Sequence, residues 1–230
     1  MANDFASSIE LIAIHIPKTG GRSLNATLKE VYGKDKVFYV KRDVFKNKTP
    51  NLVKLIPEGI LILQGHFKYL EIRDLHRTFN IPLITWLRDP VERVISNYYF
   101  FINRIQQGQR PDKLHRKNET LLEYGRRKGT RNRMTDFLNG IDLNDLFFVG
   151  IIEHFEQDLE ALGNLLGWGN IAPQHLNRNK EHQSQFAPVS DKIREEITRL
   201  NRDDMDLYQK ALSIKETDIK KPYSIQKNNI

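Results

Sequence analysis

Three short stretches of the chain carry side chains able to do chemistry together. The first is His15-Ile16-Pro17-Lys18-Thr19-Gly20-Gly21-Arg22-Ser23, directly after the mostly apolar run Ile9–Ile14. The ammonium of Lys18, the guanidinium of Arg22 and the hydroxyls of Thr19 and Ser23 suit an anion. Gly20 and Gly21 let the backbone close around its oxygens, and the free N–H groups of a following helix add partial positive charge. The second stretch is Trp86-Leu87-Arg88-Asp89-Pro90-Val91-Glu92-Arg93-Val94-Ile95-Ser96, in which Ser96 lies eight residues after Arg88. A guanidinium fork with a hydroxyl two helical turns away suits a terminal phosphate. The third is Gly65-His66, after the apolar run Gly59–Leu63. An imidazole there is able to take a proton from a hydroxyl near neutral pH. Two anion-holding strand ends suggest a nucleotide phosphorylated at both ends.

In the first stretch the lysine precedes the glycines. It is therefore not a Walker A loop, and no Mg²⁺-binding aspartate is apparent at the end of a later strand. The plain alternative is a strand–helix turn whose glycines serve geometry alone.

The elements that must position these residues follow from periodicity. Residues 9–16 read as a buried strand ended by Pro17, and Leu24, Leu28, Val31 and Tyr32 recur at helical spacing up to Gly33. Val37–Val40, 59–63, Pro82–Leu87 and Phe147–Ile152 read as further strands, and Tyr69–Phe79 and His154–Leu166 as helices. Asp89, Pro90 and Glu92 predict a helix start with a capping box. Tyr98 to Phe101 read as helix core, and Arg93 as a surface residue or internal ion-pair partner. Short helices and loops are expected through the basic stretch, irregular chain over 169–188, and one long amphipathic helix over Ser190–Leu212. Strands alternating with helices imply an α/β fold, a central mostly parallel sheet flanked by helices, with ligands bound beyond the carboxyl ends of the strands.

A chain of 230 residues fits one domain, expected over 1–217 with a polar tail over 218–230. With no cysteine, disulfides, thiolate catalysis and cysteine-bound zinc are excluded. No apolar stretch approaches the ~20 residues that span a bilayer. The start Met-Ala-Asn-Asp-Phe-Ala-Ser-Ser lacks the pattern of a signal peptide, so a cytoplasmic location is expected. The net charge of +7 is uneven: nine Lys or Arg against three acidic residues lie between Arg110 and Arg133. Such a block is either a solvated face or a patch facing a polyanion.

PKTGGRS after the first strand resembles the 5′-phosphosulfate loop of sulfotransferases, and RDPVERVISNYY resembles their 3′-phosphate motif. The set is most similar to the heparan sulfate 2-O-sulfotransferase-like branch, through Gly65-His66-Phe67-Lys68-Tyr69 and Phe147–Glu153. The resemblance implies a P-loop-nucleotide-hydrolase-like sulfotransferase fold. It also implies transfer of a sulfuryl group from 3′-phosphoadenosine 5′-phosphosulfate (PAPS) to a hydroxyl, leaving adenosine 3′,5′-bisphosphate, without a metal. Lys18, Thr19, Gly20, Gly21, Arg22 and Ser23 would hold the 5′-phosphosulfate, and Arg88 and Ser96 the 3′-phosphate. Arg178 and Lys180, in Gln174–Lys180, would belong to a loop closing over the nucleotide.

In this setting His66 is the expected general base, and Lys18 stabilises charge on the bridging oxygen. His15 is a second candidate base or an acceptor contact, as is Tyr69 an acceptor contact. The chain departs from the branch at three places. Gln64 stands where the first histidine of a His-x-His pair would be, His15 where an arginine would be, and Asn97 where a tyrosine follows the phosphate-binding serine. These changes point away from heparan sulfate itself. The expected partner is a hydroxyl-bearing acceptor, such as an acidic saccharide or glycolipid, and not a nucleic acid. The alternatives are a nucleotide-dependent kinase and a non-catalytic polyanion-binding protein.

Overall fold

The computed structural model describes residues 6–45, 52–169 and 188–219. Its strands are β1 (Leu11–Ile14), β2 (Val37–Val40), β3 (Ile62–Gly65), β4 (Leu83–Leu87) and β5 (Phe148–Ile151). They form one sheet in the order β2-β3-β1-β4-β5, with every pair parallel. The helices are α1 (Gly21–Tyr32), α2 (Tyr69–Phe79), α3 (Pro90–Gln106), α4 (Leu121–Arg126), α5 (Arg133–Leu138) and α6 (Phe155–Leu166). Two more close the chain, α7 (Asp191–Leu200) and α8 (Arg202–Ile219).

Strand alternation sorts the core into two layers. Leu11 and Ala13 of β1, Ile62 of β3, and Ile84 and Trp86 of β4 face α1 and α6, against Leu24, Leu28, Leu159 and Leu162. Ile12, Ile14, Leu63, Leu83 and Leu87 point the other way, toward Ile72 and Leu75 of α2, Met134 and Phe137 of α5, and Tyr208 and Ala211 of α8. A third cluster joins Val91, Val94 and Ile95 of α3 to Leu121 and Tyr124 of α4 and Ile197 of α7. Tyr98, Tyr99 and Phe101 pack on it, as expected of helix core, whereas Phe100 is 45% exposed.

Parallel strands with helices on both faces make this the α/β arrangement expected from the sequence. β1 lies centrally, so the chain leaves it first toward β2 and β3 and later toward β4 and β5. That reversal opens a crevice at the carboxyl ends of β1 and its neighbours.

Several local expectations are corrected. The strand expected over 59–63 begins at Ile62, because the chain is still turning at Gly59, whose φ is +77°, and it includes Gln64 and Gly65. The single helix expected over 190–212 is two helices. The break is at Asn201, fully buried, whose amide donates to the Ile197 carbonyl and whose Oδ1 accepts from the Asn132 N–H. Asp89 does cap α3, its Oδ1 accepting from the Glu92 N–H at 2.9 Å. The Glu92 carboxylate does not close a capping box but pairs with Arg194 at 2.7 Å. α8 runs to Ile219, past the expected start of the tail. Among the described residues no helix is long and apolar enough to cross a membrane.

Candidate active site

The chain leaves β1 through buried His15 and Ile16 into a tight turn. Pro17 fixes its own φ, and Lys18 follows with φ +73°, the left-handed conformation required at the third position of a type II turn. The Thr19 hydroxyl closes this turn by donating to the Ile16 carbonyl at 2.9 Å. Thr19 is 1% exposed, so its hydroxyl proton serves the loop rather than a ligand, contrary to the expected contact. Gly20, with φ +85°, caps α1, and Gly21 opens it. Among the described residues the N–H groups of Gly20, Gly21 and Arg22 have no protein acceptor, and no acidic residue occupies the first turn of α1. The positive end of the helix therefore stays uncompensated by its own side chains.

Cations gather around that end. The Lys18 ammonium lies 4.5 Å from the ring centroid of Phe100. Burial, then the Arg88 and Arg22 guanidinium groups, pull its pKa down to about 8. Arg88 follows β4 and donates Nη1–H to the Lys18 carbonyl at 3.2 Å. Its Nε is buried without a partner. Burial lowers the Arg88 pKa, opposed by Glu153, Glu92 and Asp89. Ser96, half-buried on the second turn of α3, has no hydrogen-bond partner among the described residues. Glu153 accepts from the Asp89 N–H at 3.1 Å and from the Tyr208 hydroxyl at 3.2 Å, and so ties the ends of β4 and β5 to α8.

On the other side of β1 lies an imidazole pair. His66 follows β3, and its Nδ1–H donates to the His15 carbonyl at 2.6 Å. A carbonyl only accepts, so the proton is on Nδ1 and the Nε2 lone pair is free. The His66 ring stacks on that of His15, centroids 4.2 Å apart and planes 28° apart. The His15 Nδ1 shares a 2.7 Å hydrogen bond with the Tyr39 hydroxyl. Burial, helped by Lys18 and the other imidazole, holds the His15 pKa down to about 3. Burial lowers that of His66 too, with Arg133 and Arg42 adding to it and the His15 carbonyl opposing it. Both rings are therefore neutral at neutral pH, as a base must be.

Glycine is required at two points of this packing. A Cβ on Gly21 would overlap the His15 ring, and one on Gly65 would overlap the Val40 carbonyl. Gln64, fully buried, holds the start of α1: its Nε2 donates to the Gly21 carbonyl at 3.0 Å, and its Oε1 accepts from Asn25 at 2.5 Å.

Thus the structure brings together His15, Lys18, Gly20, Gly21, Arg22, Ser23, His66 and Arg88, with Ser96 on the helix that follows Arg88. It does not bring Tyr69 to them. That side chain is 1% exposed in the core at the start of α2, with its ring edge-on to His76, where no acceptor reaches it. Arg178 and Lys180 lie outside the described residues. Arg93 is the internal partner of the two readings offered for it: it is fully buried, 3.7 Å from Asp204, and donates to the Thr130 carbonyl. In the basic block, Arg116 and Arg127 both pair with Glu119, Arg110 and Lys113 with Asp112, and Arg126 with Glu196. Much of its charge is therefore answered within the chain. Sequence reasoning missed Tyr39, the structural role of Gln64, and Phe100. Phe100 lies four residues after Ser96, on the same helical face, and that spacing could have shown it.

The model of the sulfotransferase family matches residues 4–211. The chain belongs to the sulfotransferase family. No curated protein sequence matches it. Among solved structures it is similar to a sulfotransferase from Alicyclobacillus acidocaldarius, at a TM-score of 0.51 and 12% identity over 88% of this chain and 95% of that one. Mouse sulfotransferase SULT7A1 complexed with PAP is also similar, at a TM-score of 0.45 and 12% identity over 84% of this chain and 74% of that one. At such identity the likeness to the Alicyclobacillus structure concerns the fold. As a member of the sulfotransferase family, the chain transfers a sulfuryl group to an acceptor.

Proposed function

We propose that this sulfotransferase takes its sulfuryl group from PAPS and delivers it to a hydroxyl of an acidic saccharide, with His66 as general base. One observation carries the reading. Both neighbours of β1 donate hydrogen bonds to carbonyls of the same loop, His66 to that of His15 and Arg88 to that of Lys18. A neutral base and a buried cation are thereby fixed on opposite sides of one anion-binding turn. The residues fit a bisphosphorylated nucleotide. The partnerless Nε of Arg88 with the Ser96 hydroxyl suits the 3′-phosphate, and the free N–H groups of Gly20 to Arg22 with Lys18 suit the 5′-phosphosulfate.

When bound, the donor supplies an activated sulfuryl group, and the chain's own residues do the rest. His66 Nε2 takes the proton of the acceptor hydroxyl as its oxygen bonds to sulfur. Lys18 and the N-terminus of α1 would stabilise the charge left on the departing phosphate as the S–O bond to it breaks. Arg42 donates to the His66 carbonyl at 3.3 Å and pairs with Glu71 at 2.5 Å, and Arg133 pairs with Asp136 at 2.8 Å, so both cations beside the base are answered within the chain. The excess of Lys and Arg over acidic residues across 110–133 supports an anionic acceptor.

Calorimetry tests the donor. The expected result is tight binding of adenosine 3′,5′-bisphosphate and none of ATP. Binding of ATP alone would mark a kinase, and binding of neither, with salt-sensitive binding of heparin, a polyanion-binding protein. Screening acidic and neutral saccharides with labelled donor tests the acceptor class.

A further inference from the structure

We infer that Tyr39 and His15 form a positioning relay, in which the Tyr39 hydroxyl holds His15 as the Nε2–H tautomer so that this N–H donates to an oxygen of the sulfuryl group. The inference rests on the reading above and assigns His15 a role other than base.

The geometry gives His15 two functions through two different groups. Its main-chain carbonyl accepts from His66 Nδ1 at 2.6 Å and so leaves the His66 lone pair on Nε2. Its ring occupies the space between that base and the phosphate loop. One face stacks on His66, and the edge bearing Cδ2 and Nε2 lies against Gly21, the first residue of α1. During transfer the sulfuryl group must lie between the base and the helix N-terminus, and the Nε2 edge of His15 is at that place. His15 is 8% exposed, and among the described residues its Nε2 has no hydrogen-bond partner. Nor is that nitrogen sealed from solvent, since it is absent from the buried partnerless atoms.

The tautomer follows from Tyr39. Its phenol keeps its proton, because burial raises its pKa to about 12. A phenolic O–H is a strong donor, whereas its oxygen lone pairs are partly drawn into the ring and accept weakly. In the 2.7 Å pair the hydroxyl therefore donates to Nδ1, and the one ring proton of neutral His15 sits on Nε2. A neutral N–H at this point adds a donor without a further like charge beside Lys18 and Arg88. Tyr39 is set for the task by the sheet: it pairs in register with Gln64, two residues before His66.

The first test needs no variant. Nitrogen-15 spectra of histidine-labelled protein should show His15 with a protonated Nε2 and an unprotonated Nδ1, and His66 with the opposite arrangement. A protonated Nδ1 on His15 overturns the inference. The second test compares three variants in the hydrolysis of labelled PAPS by water, each with its affinity for adenosine 3′,5′-bisphosphate. In His15→Gln the side-chain amide reaches the place of Nε2, and in His15→Asn only that of Nδ1. His15→Gln should hydrolyse the donor at least roughly tenfold faster than His15→Asn, since loss of one donor to developing charge costs about 10²–10³ in rate. Tyr39→Phe should lower the rate by roughly two- to tenfold, the scale of one net hydrogen bond, and give His15 a mixture of tautomers. Equal rates for the Gln and Asn variants, both still binding the bisphosphate, overturn the relay while leaving the donor reading intact. Loss of bisphosphate binding by the unaltered protein overturns the donor reading itself.

Discussion

Lys18 offers a quantitative test of the anion site. Burial and the guanidinium groups of Arg88 and Arg22 hold its pKa down to about 8, whereas an unperturbed lysine titrates near 10.5. The direction is that expected of a cation kept among cations, and a bound anion reverses it. If adenosine 3′,5′-bisphosphate binds the ammonium form, its affinity is proportional to the fraction of Lys18 that is protonated. That fraction is about 0.76 at pH 7.5 and about 0.09 at pH 9, so affinity should fall about eightfold, or about 1.3 kcal/mol. A lysine with its ordinary pKa would lose only a few per cent over the same range. The phosphate monoesters of the ligand ionise near pH 6 and stay dianionic throughout, and the arginines do not titrate. Calorimetry in buffers of different ionisation enthalpy should further show uptake of about half a proton per ligand at pH 8. In Lys18→Arg the slope should vanish. A flat affinity from pH 7.5 to 9 without proton uptake in the unaltered protein would refute the placement of Lys18 beside the bound phosphate.

Three further outcomes are expected. His66→Ala should lower the rate of donor hydrolysis and of transfer by roughly two or more orders of magnitude, the scale of a general base, with bisphosphate affinity nearly unchanged by calorimetry. Gln64→Leu strands the buried Gly21 carbonyl, at about 1–3 kcal/mol, and takes the acceptor from the half-buried Asn25 amide, and should both lower the denaturant midpoint and weaken bisphosphate binding through a looser α1 N-terminus. Asp204→Ala leaves the fully buried Arg93 uncompensated and removes the acceptor for the N–H groups of Met134 and Thr135 at the start of α5. A loss of about 3–5 kcal/mol should follow, seen as a thermal midpoint lowered by roughly 6–20 °C.

Much of the scaffold was legible because its signals are local. The apolar run ended by Pro17 and those over 82–87 and 147–152 mark β1, β4 and β5, and α2 occupies the span its periodicity predicts. The turn proposed to hold an anion was legible for the same reason, since strand, turn residues and helix start are adjacent in sequence. What escaped is pairing between distant segments. Gln64 lies past the apolar run 59–63, and nothing local says that it is buried or that Gly21 and Asn25 receive it, some forty residues earlier. Periodicity gives no hint that Tyr39 meets His15, because that depends on β3 entering the sheet between β2 and β1. Asn201 reads as an ordinary polar residue on an amphipathic helix, and only its bond from the Asn132 N–H makes it a break. Tyr69 shows the converse error. It belongs to a motif whose glycine and histidine do face the crevice, yet the first turn of α2 carries its ring into the core.

These long-range bonds also explain how a site built on a loop can be rigid. The segment from His15 to Gly21 has almost no regular structure of its own, and Lys18 holds a backbone conformation that is strained for a residue with a side chain. Its main-chain carbonyls are nonetheless held one after another: His15 by His66, Ile16 by Thr19, Lys18 by Arg88 and Gly21 by Gln64. While these carbonyls are engaged, the N–H groups of Gly20, Gly21 and Arg22 have no acceptor among the described residues. The same bonds that fix the loop also fix the His66 ring and the buried Arg88 guanidinium, so the loop and these side chains share one frame. A preorganised array of this kind stabilises developing charge without rearranging during the reaction, which is what transfer of a sulfuryl group asks of the protein.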